Sequence, residues 1–305
     1  MNFAIFACFE NHYQMTKAFQ VAGHVFHLSM PDGCGLWRYL TQYDPFEVEP
    51  VSEPLFTLDL VHELPEGDRM KVYDAPTEDG QTVIRLYRQG EGWFIEMAQD
   101  HTRPDCAQMY TTSDFRHSSI RLITRKVSDG MFGINNALML LYAFCSAPYG
   151  TLEMHSSVTV NGGRAYLFLG KSGTGKSTHS SLWLKHIEGS WLLNDDNPVV
   201  RVWPDGRVIC YGSPWSGKTP CYINDEAPVG AVVRIRQCPD NKIALMSIVE
   251  AYATLFSSSS GFKTDRKMAD ALHATMEKFV TTIPFYLLDC RPDEEAAQLC
   301  ASTVR

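Results

Sequence analysis

An excess of positive charge is missing from this chain: 27 Lys and Arg stand against 35 Asp and Glu, a net charge of −8. Such a balance lacks the electrostatic footprint of a protein that grips nucleic acid or lies on an anionic membrane surface. Long uninterrupted apolar runs are missing too. The first nine residues are apolar, but no basic region precedes them, and Glu10 and Asn11 cut them short. They read as a strand rather than a signal peptide. The longest other run, 131–147, is interrupted by Gly133, Asn135 and Asn136 and is short for a bilayer span, so it reads as a buried helix. The nine cysteines include no C-x-x-C pair, so no zinc site is suggested, and an odd count fits reduced thiols. No internal repeat is present, nor a low-complexity tract longer than 257–260. The expectation is a cytoplasmic globular protein with no nucleic-acid or membrane partner; a homo-oligomer is left open.

What is present is enough for real cores: 305 residues, 45% of them hydrophobic and 20% charged, allow one large or two ordinary domains. Residues 1–125 read as a β-rich N-terminal domain of unknown role. Strands are expected at 56–61 and 82–88, then, through the turn Gln89-Gly90-Glu91-Gly92, at 93–97, and again at 119–124. Residues 126–305 read as a second domain. After the 131–147 helix come a strand at 152–160, the turn Asn161-Gly162-Gly163 and a strand at 164–169. A turn so tight makes these two strands antiparallel, and the fold class is therefore α/β with a mixed sheet. Further strands are expected at 191–194, 199–203, 207–211, 229–236 and 285–289. Helices are expected at 244–256 and 263–280, with a last one opening at Pro292-Asp293-Glu294-Glu295.

The chain is organised around Gly170-Lys171-Ser172-Gly173-Thr174-Gly175-Lys176-Ser177-Thr178, which fits the G-x-x-x-x-G-K-[ST] pattern of a phosphate-binding loop. An apolar strand precedes it and an amphipathic helix follows, with Leu182, Trp183 and Ile187 at helical spacing. Gly170, Gly173 and Gly175 let the backbone N–H groups of this segment, with those of Ser172 and Thr174, turn inward around an anion at a helix N-terminus. Lys176 would reach the β- and γ-phosphates of ATP, the Ser177 hydroxyl would ligate Mg²⁺, and Thr178 closes the motif.

Asp195 and Asp196 stand at the end of a strand expected beside the loop strand, where one carboxylate can serve Mg²⁺ and the other can orient or deprotonate an acceptor hydroxyl. Neighbouring side chains on a strand point to opposite faces, so both can act only if the chain has already turned. The bland alternative is an Asp-Asp-Asn-Pro turn. Gly212-Ser213-Pro214-Trp215-Ser216-Gly217-Lys218-Thr219 repeats the loop pattern, but Pro214 lies inside it and no amphipathic helix follows, so a second triphosphate site is not expected. Lys218 is expected either to reach toward the first site's phosphates or the substrate, or to sit on a surface turn. His155 reads equally as a core histidine or as a partner of the catalytic carboxylate. His179 and the remaining histidines are expected at the surface.

Met154-His155-Ser156-Ser157, the loop with its internal Ser172-Gly173, and Asp195-Asp196 together resemble the HPr kinase/phosphorylase family within the phosphoenolpyruvate carboxykinase-like P-loop grouping. The resemblance spans about 151–218 and does not reach 1–125. It implies an HPr kinase-like nucleotide-binding domain that moves the γ-phosphoryl group of ATP to a hydroxyl of a small metabolite or a protein serine. It also implies Asp195 as the catalytic base and His155 as its support, with Ser177 and Asp196 serving Mg²⁺; from motif and position, Lys176 and Lys218 join the catalytic set at the phosphates, and Asp195 the metal set. The partners are then the nucleotide and an unidentified hydroxyl acceptor. Thr178 stands where these kinases usually carry Glu. Two other readings are open: an ATP-binding regulatory module without transfer, and a carboxykinase.

Overall fold

The computed structural model describes residues 13–74, 82–217, 219–263 and 265–305. The strand expected over the first nine residues lies outside them, as does Lys218. The chain divides into two compact units, Met1–Cys145 and Ser146–Arg305. The boundary expected from the sequence, between residues 125 and 126, would instead place the long helix with the second unit.

The first unit is built on a nine-stranded mixed sheet. The strands β1 (Gln14–Val21), β2 (His24–Pro31), β3 (Glu47–Val48), β4 (Thr57–Leu60), β5 (Met70–Asp74), β6 (Val83–Gln89), β7 (Gly92–Ala98), β8 (Ala107–Thr111) and β9 (His117–Leu122) run in the order β3-β1-β2-β4-β9-β8-β7-β6-β5. The expected β6–β7 hairpin is present, closed on Gln89↔Gly92. Helix α1 (Val127–Ser146) packs on this sheet at close range: a Cβ on Gly133 would stand 2.5 Å from that of Ala107. The Tyr142 hydroxyl donates to the Val21 carbonyl at 3.0 Å, and the Tyr43 hydroxyl to Asn135 Oδ1 at 2.9 Å. By length and composition alone the segment Val127–Tyr149 could cross a membrane, yet 78% of its apolar window is buried within the protein. Cys34 is disulfide-bonded, against the expectation of thiols throughout, while seven other described cysteines are free.

The second unit carries the strands β10 (Thr151–Glu153), β11 (Ser156–Asn161), β12 (Arg164–Leu169), β13 (Trp191–Asp196), β14 (Val199–Val202), β15 (Val208–Tyr211), β16 (Glu226–Gln237), β17 (Lys242–Leu245) and β18 (Phe285–Cys290). Their order is β10-β14-β15-β16-β12-β11-β13, with β18 pairing with both β16 and β17. The sheet is mixed: β12 is parallel to β16, and β16 to β18, whereas β11 runs antiparallel to β12 and to β13. Helices α2 (Lys176–His186) and α5 (Glu294–Val304) cover one face, and α3 (Ile248–Ser258) and α4 (Arg266–Thr282) the other. Strand β12 shows why its sequence is apolar throughout. Leu167 and Leu169 enter the core under α3 and α4, while Tyr166 and Phe168 enter the core under α2 and α5. A strand buried on both faces has no polar side to display.

Two expected elements divide differently. The single strand at 152–160 is two strands, β10 and β11, with His155 in the break between them. The helix expected at 244–256 begins only at Ile248, because Lys242–Leu245 pairs with β18 and Ser247 starts a capping box. There the Ser247 hydroxyl accepts from Glu250 N, and the Glu250 carboxylate accepts from Ser247 N.

Candidate functional site

Strand, glycine loop and helix follow one another as the loop pattern requires: β12 ends at Leu169 and α2 starts at Lys176. Between them Gly170, Gly173 and Gly175 take φ of 155°, 80° and 100°. The most constrained is Gly170, where a Cβ would stand 2.4 Å from Thr174 Oγ1 and 3.2 Å from the Ile235 carbonyl. The loop is braced from inside by Thr174, whose backbone N–H and hydroxyl both donate to the Lys171 carbonyl, at 3.2 and 2.8 Å. Ser172 is exposed, as are Ser177 and Thr178 in the first turn of α2. Behind the loop, α2 is fixed to the sheet by the Ser157–Ser180 hydroxyl pair at 2.6 Å and by Trp183 packed on Tyr166 and Phe168.

His179 departs from its expected place at the surface. It is buried against Phe168 and accepts from Trp183 Nε1 at 3.2 Å, and its burial lowers its pKa to about 4. It is part of the packing of α2.

At the mouth of the loop, Lys176 Nζ donates to the Gly170 carbonyl at 3.1 Å and stands 3.0 Å from His155 Nε2. His155 Nδ1 is 3.1 Å from Asp196 Oδ1. An ammonium group can only donate, so Nε2 is the acceptor and the ring proton sits on Nδ1, directed at Asp196. The sequence left two roles open for His155, and the resemblance made it the support of Asp195; the structure joins it instead to the neighbouring carboxylate, Asp196. Lys176 is half-buried, which lowers its pKa; the charges of Asp196 and Asp195 oppose that shift.

The charges of both aspartates thus favour the ammonium form, although the two are neighbours on β13, where regular strand geometry would turn their side chains to opposite faces. The chain leaves regular strand geometry at Asp196, which takes φ 148°, a region that non-glycine residues rarely occupy. Strain of that kind costs on the order of 1–3 kcal/mol and persists only where the surroundings impose it. Here they do. The Asp195 carbonyl accepts from Gly217 N at 2.7 Å and from the Ser216 hydroxyl at 3.2 Å, and Asp196 bridges to Ser216. Asn197 Nδ2 donates to Asp196 Oδ2 at 3.0 Å.

One buried acid, two residues before His155, gave little warning in the sequence. Glu153, on β10, is 1% exposed, and neither of its carboxylate oxygens has a hydrogen-bond partner. Burial, reinforced by the charge of Asp196, raises its pKa to about 8, so it is a neutral acid at pH 7. A single acidic letter inside the apolar stretch Thr151-Leu152-Glu153-Met154 was the readable sign.

On the α2 side of the loop lies a cavity of about 640 Å³. Gly173, Thr174 and Gly175 form one wall, and Leu182, Ile235, Pro239 and Pro292 form the apolar remainder. Gln237 at its rim donates to the Gly173 carbonyl at 3.3 Å.

For Mg²⁺, the donor set is sparse. Among the described residues no group of three or more His, Cys, Asp or Glu converges as a preformed metal cage. Mg²⁺ keeps several waters and takes only one or two carboxylates beside substrate phosphates, a limited demand for which the chain offers the exposed Ser177 hydroxyl and the half-buried Asp196, with Asp195 buried beside it.

No protein-family model matches the chain, and no curated protein matches it. Among solved structures, the chain is similar to the Hpr(Ser) kinase/phosphatase from Coxiella burnetii. Identity is 12% and the TM-score 0.28, over 50% of this chain and 95% of that one. A likeness of that size carries no functional inference; the geometry of the loop and its neighbours has to supply one.

Proposed function

We propose that this chain is an ATP-dependent, Mg²⁺-requiring kinase that transfers the γ-phosphoryl group to a hydroxyl of a small metabolite or a protein serine. The observation that carries the reading is the row Lys176–His155–Asp196 at the mouth of a glycine loop, with Asp195 beside it. A loop built only as a turn has no need to aim a half-buried lysine, through a histidine, at the carboxylate of a residue held at φ 148°.

In this reading the triphosphate lies in the loop, and Lys176 exchanges the Gly170 carbonyl for phosphate oxygens. The cavity flanked by Leu182, Ile235 and Pro239 takes the nucleoside. Ser177 and the aspartates would hold Mg²⁺, which neutralises charge on the phosphates when bound. Asp195 accepts the proton of the acceptor hydroxyl as its oxygen bonds to the γ-phosphorus and the bond to the β-phosphate oxygen breaks, leaving ADP. His155 keeps Asp196 in place and, through Nε2, sets the position of the Lys176 ammonium.

The test is transfer of labelled γ-phosphate from ATP to a pooled panel of hydroxy amino acids, sugars, polyols and a small HPr-type protein, with Asp195→Asn run beside wild type. The expected result is label on one acceptor in wild type and at least about a hundredfold less in the variant. Tight Mg·ATP binding that survives Asp195→Asn, with no transfer to any member, would instead favour a nucleotide-binding regulatory module. On the binding side, Lys176→Ala is expected to abolish the rise in melting temperature that Mg·ATP gives wild type. A rise that persists undiminished overturns the nucleotide assignment.

A further inference from the structure

The segment Gly212–Thr219 copies the letters of the phosphate loop but has a different physical role. No helix follows it, and the chain stays irregular until β16 begins at Glu226. Over residues 213–217 the segment closes instead on the end of β13, the strand that carries Asp195 and Asp196.

The closure is held by a buried polar hub. Asn194 and Ser213 are both 0% exposed. Asn194 Nδ2 donates to Ser213 Oγ at 3.1 Å and to the Trp215 carbonyl at 3.2 Å, and its Oδ1 accepts from Asn197 N at 3.0 Å. The Ser213 hydroxyl lies 2.6 Å from the Asn197 carbonyl and 3.0 Å from that of Trp215, and it accepts from Trp215 N at 3.2 Å. One hydroxyl therefore ties the residue after the aspartate pair to the loop that covers the pair. Beyond the hub, Gly217 N and the Ser216 hydroxyl reach the Asp195 carbonyl. The approach is close enough that a Cβ on Gly217 would stand 3.1 Å from both the Asp195 carbonyl and Asp196 Cβ.

A buried amide needs partners, and a packed apolar side chain would have avoided that need altogether. The bonds of this hub run from the Asn194 side chain, just before Asp195–Asp196, to the Asn197 backbone, just after it, and so bracket the residue whose unusual φ has to be imposed. Such a network fixes where a carboxylate points, and supporting bonds of this kind commonly set metal affinity.

We infer that Ser213, with Asn194, is a positioning residue: it clamps the 213–217 loop onto Asp195–Asp196 and thereby sets the affinity of the carboxylate pair for the divalent cation that accompanies the nucleotide. The inference rests on the nucleotide reading proposed above.

The test uses the full chain and ADP as the probe. ADP affinity is measured by calorimetry in EDTA and then across a Mg²⁺ titration, for wild type, Ser213→Ala and Ser213→Thr. The phosphate loop itself is untouched by these changes, so affinity in EDTA is expected to stay at the wild-type value in all three. The Mg²⁺ midpoint is expected to rise about tenfold or more in Ser213→Ala, the usual cost of removing a ligand's support, and to return with Ser213→Thr, which keeps the hydroxyl. If Ser213→Ala does not fold, Gly217→Ala serves in its place, with the same split between metal-free and metal-dependent affinity expected.

An unchanged Mg²⁺ midpoint in the variants overturns the inference. So does a parallel fall of metal-free and metal-dependent affinity, which would mean general loosening. Wild type that binds ADP neither with nor without Mg²⁺ refutes the nucleotide reading itself, and this shows before any variant is made.

Discussion

Glu153 and His179 show how far the setting of a side chain can move its chemistry from what its letter suggests. Glu153 titrates near 8 in the folded protein instead of near 4.5, because burial and the charge of Asp196 both oppose ionisation. A folded-state pKa raised above the unfolded value gives stability that is complete below about 4.5 and is lost as pH rises to about 8. Melting temperature is therefore expected to fall across that window, and Glu153→Gln is expected to flatten the fall and to melt higher than wild type at pH 9. A wild-type slope retained in the variant would assign the loss to another group. His179 works in the opposite sense. Its pKa is lowered to about 4 by burial, so its contribution is complete above about 6.5 and drains away as pH falls toward 4. The sequence places His179 at the surface because a histidine in a polar helical segment usually is solvated. Trp183 four residues on and Phe168 on the neighbouring strand make it a buried acceptor instead.

Among the elements, those with a strong local signal are legible. Strand β12 is expected at its observed limits, and α2 as the helix that follows the loop, since an apolar run, three glycines and a helical pattern leave few alternatives. Other elements are hidden because their definition is not local. β10 and β11 read as one strand because His155 and its neighbours keep an extended pattern; the break exists because β10 pairs with β14 while β11 pairs with β12 and β13. β17 is absorbed into a helix because Lys242–Leu245 becomes a strand only when β18 is beside it. The start of α3 is set by a capping box that the sequence does display. Ser247→Ala is expected to cost about 1 kcal/mol, seen as a lower denaturation midpoint. No change would mean that the turn before α3 is held by its strand pairing alone. At the loop, Gly170→Ala would press a methyl group into Thr174 Oγ1 and the Ile235 carbonyl. It is expected to weaken nucleotide binding more than it lowers melting temperature, and a loss of stability alone would make that glycine a packing requirement.

For the whole molecule, the division at Cys145 and Ser146 places the loop, both aspartates, His155 and the clamp within one unit that has its own two cores. Residues 146–305 expressed alone are expected to fold and to keep the Mg·ATP-induced rise in melting temperature; a fragment that folds without it would show that the first unit contributes to the site. Taken by itself, the sequence determined the loop, its flanking strand and helix, the mixed character of the sheet and the place of two adjacent carboxylates at the end of a strand. Each of these comes from short-range chemistry: glycine's freedom at positive φ, helical periodicity, and the reach of a tight turn. Only the tertiary structure decided that Asp196 leaves regular strand geometry, that His155 lies between Lys176 and Asp196, that a second loop-like motif covers the aspartates, and that Glu153 is neutral. Those outcomes depend on which strands become neighbours and on how much water they exclude, and both are properties of the assembled sheet rather than of any stretch of its sequence.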